Sequence, residues 1–339
     1  MKGTLILLDH LNDRPAAALI KDGQLHDLLV DTDAPGPGTI YCAQVDRPIK
    51  GQGGVFLNTP DGPAFLRHIK GLSPKQTLLV QVTGYAEPGK AIPVTSKLLF
   101  KSRYVIVTPT APGLNISRSI RDEDRRDALL QLIHETIGPP AYGMILRSSC
   151  AEADSEDIAD DARAVLKLVS QVLEDDAQQI AVLLNADGAH EQAWRDWSEP
   201  AQIETETGGF ADHGVLDQID ALKSADVSIH GGSFSIEPTR AFVAVDVNTG
   251  KDGSPAAGLK ANIAMARDLP RQLRLRGLGG QIVIDPAPMP KKDRRQLETI
   301  FRAALRSDTV ETNFVGWTTL GLIELQRARS RVPLQIKPQ

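Results

Sequence analysis

Three features of the sequence predict a mixed α/β chain built from several subdomains. Five short β-rich runs punctuated by Gly and Pro lie between residues 39 and 97, the spacing of a small closed barrel. Amphipathic helical stretches alternate with short apolar strands from residue 98 to residue 185. In the last third, strand, long helix and strand follow one another, and each strand runs out in an aspartate, Asp246 and Asp285.

The first elements are short. Thr4 to Leu8 and Ala17 to Ile20 are apolar, and Lys21-Asp22-Gly23 supplies a turn, so residues 2–8 and 16–31 read as hairpin strands. Pro35-Gly36-Pro37-Gly38 breaks that pattern, since paired Pro and Gly punctuate both strands and helices. The barrel strands are predicted at Ile40 to Val45, Val55 to Asn58, Ala64 to His68, Gln76 to Gly84 and Ala91 to Thr95. A strand follows from Arg103 to Pro109, then an amphipathic helix from Glu123 to Ile137 and a strand from Gly143 to Arg147. A second helix has Ser155 as its expected N-cap with Glu156 and Asp157 in the first turn, where acids favour the helix dipole. Its buried stripe is Ile158, Ala162, Val165, Leu166, Val169, Val172 and Leu173. Residues 176–214 show no clear period apart from a strand at Gln179 to Leu184, and Leu216 to Lys223 reads as a short helix. Strands at Ser233 to Ile236 and Ala241 to Val247 precede a helix from Gly258 to Arg276, in which Pro270 predicts a kink or a late start. After the Asp285 strand comes a basic helix from Lys291 to Arg306.

Composition narrows the function classes. No apolar run approaches the ~20 residues of a membrane span, and the chain enters its first strand-like segment without a signal-peptide pattern, so a cytoplasmic protein without membrane partners is expected. Cys42 and Cys150 have no partners at metal-ligand spacing and read as ordinary buried thiols. The net charge of -5 is unevenly spread. From Arg267 onward there are 14 Lys and Arg against 7 Asp and Glu, whereas residues 150–230 hold 19 acids and 4 bases. A polyanion is therefore expected to meet the basic end and to avoid the acidic stretch.

The two strand-end aspartates are the sharpest chemical signal. A lone Asp leaving a strand is ordinarily a turn residue, but two fixed carboxylates are a ligand set for Mg²⁺, a hard ion that binds few carboxylates and keeps other positions for water and phosphate. In the barrel, Phe56, Phe65, Arg67, His68, Lys70 and Lys90 suit stacking of bases and tracking of a phosphate backbone, although either Phe fits a barrel core equally well.

The stretch Val245-Asp246-Val247-Asn248-Thr249-Gly250, followed by Arg271 to Gly280 and Gln281-Ile282-Val283-Ile284-Asp285, resembles the ribonuclease E/G family. Gly321-Leu322-Ile323-Glu324-Leu325-Gln326-Arg327 matches its next block, with Asn115 to Ile120 and Met144 to Ser148 similar in outline. The resemblance implies a ribonuclease H-like unit with an inserted OB-fold barrel, followed by a deoxyribonuclease I-like α/β catalytic subdomain. Its expected parts are 1–38 and 186–227 for the ribonuclease H-like unit, 39–97 for the RNA-binding barrel, 98–185 for a 5′-sensor-like subdomain and 228–339 for the metal-binding subdomain. It further implies that Asp246 and Asp285 hold Mg²⁺, that Asn248 orients the scissile phosphate, and that Arg147 and Ser148 bind a 5′-phosphate. Phe56, Phe65, Lys90 and Arg118 are the implied RNA contacts.

The implied activity is Mg²⁺-dependent endonucleolytic cleavage of single-stranded RNA, leaving 5′-phosphate and 3′-hydroxyl ends. The sequence departs from the family pattern at Pro288, where a further Asp is usual, at Ala264, where an acid is usual, and at Pro270. These departures motivate a second expectation, an RNA-binding protein that keeps the fold without the reaction. The paired-cysteine segment through which family members share zinc is not found in this sequence, so no zinc and no zinc-linked oligomer are expected.

Overall fold

The computed structural model describes residues 3–49, 53–67, 71–174, 179–252 and 254–334 and divides into two compact units, one formed by residues 1–29 and 202–339 and the other by residues 30–201. In the first unit, β1 (Thr4–Leu11), β2 (Arg14–Lys21) and β3 (Gln24–Val30) form an antiparallel meander. Asn12, Asp13, Asp22 and Gly23 at its turns all take positive φ, the conformation that Asn, Asp and Gly tolerate best.

The second unit begins with the barrel: β4 (Ile40–Ile49), β5 (Gly54–Thr59), β6 (Gly62–Arg67), β7 (Thr77–Val82) and β8 (Ile92–Thr95). The order β4-β5-β6-β8-β7 closes because β7 also pairs with β4, giving an OB-like five-stranded barrel. Alternate residues fill its interior, among them Tyr41, Ala43, Val45, Val55, Leu57, Ala64, Leu66, Val80 and Val82. A four-stranded sheet follows, containing β9 (Phe100–Lys101), β10 (Val105–Thr108), β11 (Leu114–Ile116) and β12 (Gly143–Leu146) in the order β11-β12-β10-β9. It packs with α1 (Glu123–Ile137) and α2 (Ser155–Leu173) around one apolar core. The cap of α2 differs from expectation: Asp154 accepts the Glu156 amide at 2.8 Å, so Ser155 is the first helical residue. Of the predicted stripe, Leu166 and Leu173 are only partly buried, and Ala159 joins the buried set.

The strand expected at Gln179 to Leu184 is present as β13 (Ala181–Leu184), and the stretch after it, without a clear period in the sequence, holds α3 (Ala189–Asp196), β14 (Gln202–Glu204) and α4 (Gly209–Asp212). Strand β13 extends the barrel sheet beside β4, whereas β14 pairs parallel with β1 in the first unit. The described part of the first unit then runs through α5 (Val215–Ala221), β15 (Asp226–Ile229), β16 (Gly232–Pro238), β17 (Val243–Asn248), α6 (Pro255–Leu275), β18 (Gly280–Asp285), α7 (Arg294–Ser307), β19 (Thr312–Trp317) and β20 (Ile323–Arg327). The last six strands form one sheet in the order β15-β16-β17-β18-β20-β19, in which β17 and β18 are parallel neighbours joined through α6. Each turns its alternate β-branched residues into the core, which is why both read as short apolar runs in the sequence.

Helix α6 is continuous from Pro255 to Leu275 with Pro270 inside it, so the expected late start is not what the chain adopts. It begins early, with Ser254 capping the Ala257 amide at 3.2 Å and Pro255 in the first turn, where a missing N–H costs nothing. The tertiary fold absorbs the interior proline: Met265, Ala266, Leu269 and Leu273 are fully buried, and the Pro270 carbonyl accepts from buried Arg327 at 3.3 Å. One face of the six-stranded sheet is sealed by α6 and α7 through Ile282, Ile284, Leu297, Phe301, Ile323 and Leu325. Among the described residues, no helix is long and apolar enough to cross a membrane.

Candidate functional site: a strand-end carboxylate pair

Asp246 and Asp285 are register partners on the parallel strands β17 and β18. Strand alternation turns Val245, Val247 and Ile284 into the core, so Asp246, Asn248 and Asp285 project together from the opposite, exposed face. Adjacent strands lie about 4.8 Å apart, which leaves the two carboxylates within the span of one small ion. Asn248 donates from Nδ2 to Asp246 Oδ2 at 2.7 Å, fixing one carboxylate without consuming its other oxygen. The three residues expected from the sequence at this site are thus brought together. Ser235 stands opposite Asp246 on β16, and Glu324 on β20 stands opposite Val283, one pleat behind Asp285 on the same face. Among the described residues, no group of three or more His, Cys, Asp or Glu side chains converges as a cage. The donor set is two carboxylates with open water positions, which suits Mg²⁺ and not a closed structural site.

The backbone beneath the pair is held by contacts that periodicity could not reveal. A Cβ at Gly232 would lie 2.0 Å from the Asn248 carbonyl oxygen, so β16 reaches the end of β17 only as glycine. Fully buried Asn262 donates to the Ala287 carbonyl and accepts from the Ala287 amide, both at 2.9 Å. One turn earlier, a Cβ at Gly258 would lie 2.1 Å from the Pro288 carbonyl oxygen. Helix α6 therefore clamps the segment that leaves β18 just after Asp285, including Pro288. The one sequence signal for this clamp is an uncharged amide inside an otherwise apolar helical stripe.

The remaining expected residues lie in the second unit. Phe56 and Phe65 are cross-strand partners on the outer wall of the barrel, with ring centroids 5.3 Å apart, and neither belongs to the barrel core. Both rings are partly buried on that wall, outside the core cluster. Arg47, not singled out by sequence, lies over the Phe56 ring at 5.6 Å. Gly54 makes room for Phe65, since a Cβ there would meet the ring at 2.5 Å. Lys90 is exposed and pairs with Glu87 at 2.8 Å; Arg118 is exposed near the start of α1. His68 and Lys70 lie outside the described residues.

Ser148 is exposed, but the Arg147 guanidinium is enclosed by protein acceptors. It donates to the carbonyls of Ser102, Arg103 and Arg195 and to Asp196 Oδ1 at 3.0 Å. Asp196 also receives Lys101 at 2.6 Å and Arg195 at 2.9 Å. Burial alone would raise its pKa, but the hydrogen bonds and charge of Arg195 and Lys101 hold the carboxyl well below the usual carboxylate range. The Cys42 and Cys150 thiols are buried, and burial pushes the Cys150 thiol up to about 11.

The Ribonuclease E/G family model matches residues 100–207 and 201–330. The chain is similar to Ribonuclease E of Synechocystis sp. (strain ATCC 27184 / PCC 6803 / Kazusa), 29% identical over 373 residues, covering 93% of this chain and 55% of that protein. It is also similar to Ribonuclease G of Escherichia coli (strain K12), 25% identical over 383 residues, covering 94% and 78%. A Ribonuclease E/G-like protein of Porphyra purpurea is 25% identical over 374 residues, covering 92% and 73%. The chain spans about half the length of the Ribonuclease E proteins it matches.

Proposed function

We propose that this chain, which belongs to the ribonuclease E/G family, is a Mg²⁺-dependent endoribonuclease that cuts single-stranded RNA to 5′-phosphate and 3′-hydroxyl ends in RNA processing or decay. The observation that carries the proposal is the register pairing of Asp246 with Asp285 on one exposed sheet face, with Asn248 bonded to the first. The names of the relatives support a ribonuclease. The proposal includes the finer fold reading, a ribonuclease H-like unit with the OB-like barrel inserted in it, followed in the chain by a deoxyribonuclease I-like catalytic subdomain.

Asp246 and Asp285 are the residues that would hold Mg²⁺. When bound, that ion acidifies a water and neutralises charge developing on the phosphoryl oxygens. The chain's own part is positioning. Two strands of one sheet give the carboxylates a fixed separation, and the Asn262 clamp keeps the end of β18 from fraying. Asn248 orients Asp246 and keeps its remaining amide hydrogen free to donate to the scissile phosphate. With its partly exposed Phe56 and Phe65 rings and the nearby Arg47 cation, the barrel wall has the composition of a base-stacking surface. Ser148 and Arg147 are proposed to meet a 5′-phosphate, Arg147 by exchanging its Asp196 partner for the ligand, because a guanidinium fork fits phosphate as it fits carboxylate.

The test is cleavage of a 5′-monophosphorylated single-stranded oligoribonucleotide with and without Mg²⁺, with the product ends identified by phosphatase sensitivity. Wild type is expected to cut only with Mg²⁺, and Asp246→Asn to lose activity by more than ~100-fold, in line with removal of a main electrostatic stabiliser. Equal cutting by both proteins would overturn the proposal. RNA binding without cutting would point instead to a protein that keeps the fold and has lost the reaction.

A further inference from the structure

We infer that the indole of Trp194 is a stacking platform for a base of single-stranded RNA. The inference rests on the reading of the chain as an RNA-binding protein and adds a contact that the family resemblance does not supply. Helix α3 turns Ala189, Ala193 and the following Trp197 into the protein, and Trp197 is only 7% exposed. Trp194 lies off that buried stripe and is 57% exposed. A tryptophan stabilises the fold by being buried, so an exposed indole on a short helix that already has its apolar anchors contributes little there.

The ring is nevertheless held in place. The Arg103 guanidinium sits over it, 4.0 Å from the centroid, donates to the Trp194 backbone carbonyl, and reaches the Tyr104 ring at 5.8 Å. The Arg103 carbonyl in turn accepts from Ser149 Oγ at 2.6 Å and from Arg147 at 3.2 Å. Platform, cation and the Arg147–Ser149 segment therefore form one connected assembly within the second unit. Its carboxylates are engaged: Asp196 by Lys101, Arg147 and Arg195, and Asp187 by Arg195. The described contacts of Arg103 are with the Trp194 and Tyr104 rings and a carbonyl, and not with these acids.

An aromatic face with a guanidinium against it suits a nucleotide in particular. Any base offers a π-face to the indole, and the phosphate attached to it finds Arg103. An apolar protein partner would instead require a larger uncharged patch than one ring. Such stacking is tolerant of sequence, so it predicts affinity for single strands without strong base preference.

The experiment uses the full chain and a short single-stranded oligouridylate carrying a 5′-monophosphate and 2-aminopurine as its first base, in EDTA so that the probe stays intact. Stacking on an aromatic quenches 2-aminopurine. Wild type is expected to quench the probe, Trp194→Phe to retain the quenching, and Trp194→Ala to lose it with about tenfold weaker binding, which corresponds to ~1.4 kcal/mol and one stacked base. Because Trp194 is exposed, circular dichroism of both variants should match wild type. Quenching that persists in Trp194→Ala would overturn the platform while leaving the nuclease reading intact. Failure of wild type to bind the probe at all would overturn the platform, and the cleavage assay with Mg²⁺ then decides the nuclease reading separately.

Discussion

Replacing Asn262 by Ala tests how the catalytic end of β18 is held. The substitution removes the donor to the Ala287 carbonyl and the acceptor for the Ala287 amide, two buried 2.9 Å bonds, and strands both backbone groups. Each buried, unsatisfied polar group costs about 1–3 kcal/mol, so the pair gives roughly 2–6 kcal/mol. Water entering the vacated space places the expected loss near the lower half, about 3 kcal/mol. For a unit of this size 1 kcal/mol corresponds to about 2–4 °C, so the melting transition of the first unit should fall by about 6–12 °C. Scanning calorimetry reads this directly, and an RNA-cleavage assay run well below the new transition reads the second effect. There kcat should fall while KM stays nearly constant, because Asp285 loses its fixed position and the barrel is unaltered. An Asn262→Ala protein that melts and cuts like wild type would refute the claim that this amide holds the site.

Three further outcomes are expected. Phe56→Ala combined with Phe65→Ala should weaken binding of single-stranded RNA by about 2–6 kcal/mol, at about 1–3 kcal/mol per stacked base, with the melting transition little changed because both rings lie outside the barrel core; gel-shift titration checks it. Asp308→Asn should destabilise the first unit by about 3–5 kcal/mol in urea unfolding, since Arg274 and Arg327 would be left as buried, incompletely paired cations around a carboxylate that is itself 1% exposed. The folded-state pKa of Asp196 lies below its unfolded value of about 3.9, so its pairing contributes stability that is fully present above that pH and is lost as pH falls through the folded value. Melting of the second unit followed from pH 6 downward should therefore fall below about pH 4, and Asp196→Asn should flatten that limb.

The parts of this protein legible in its sequence are those whose local pattern and tertiary role agree. Helix α1 begins and ends at Glu123 and Ile137 as its apolar period predicts, and the five barrel strands fall where Gly and Pro punctuation bounds them. Asp246 and Asp285 stand out because an ionisable residue closing a β-branched run is a local anomaly. Pro270 misleads because helix propensity is a local quantity, whereas a fully buried apolar stripe and the Arg327 bond are not. Strand β14 is three residues long and owes its existence to pairing with β1, about two hundred positions away in sequence, so no local window contains its cause. The Asn262 clamp and the enclosure of Arg147 by Asp196 are likewise long-range and became visible only in three dimensions.

Binding of Mn²⁺ followed by electron paramagnetic resonance tests most directly whether the two carboxylates share an ion. Wild type should take up one Mn²⁺ per chain at this site, displaced by Mg²⁺, and both Asp246→Ala and Asp285→Ala should abolish that uptake. Retention of the ion by either variant, or independent loss of two separate ions, would contradict a shared site.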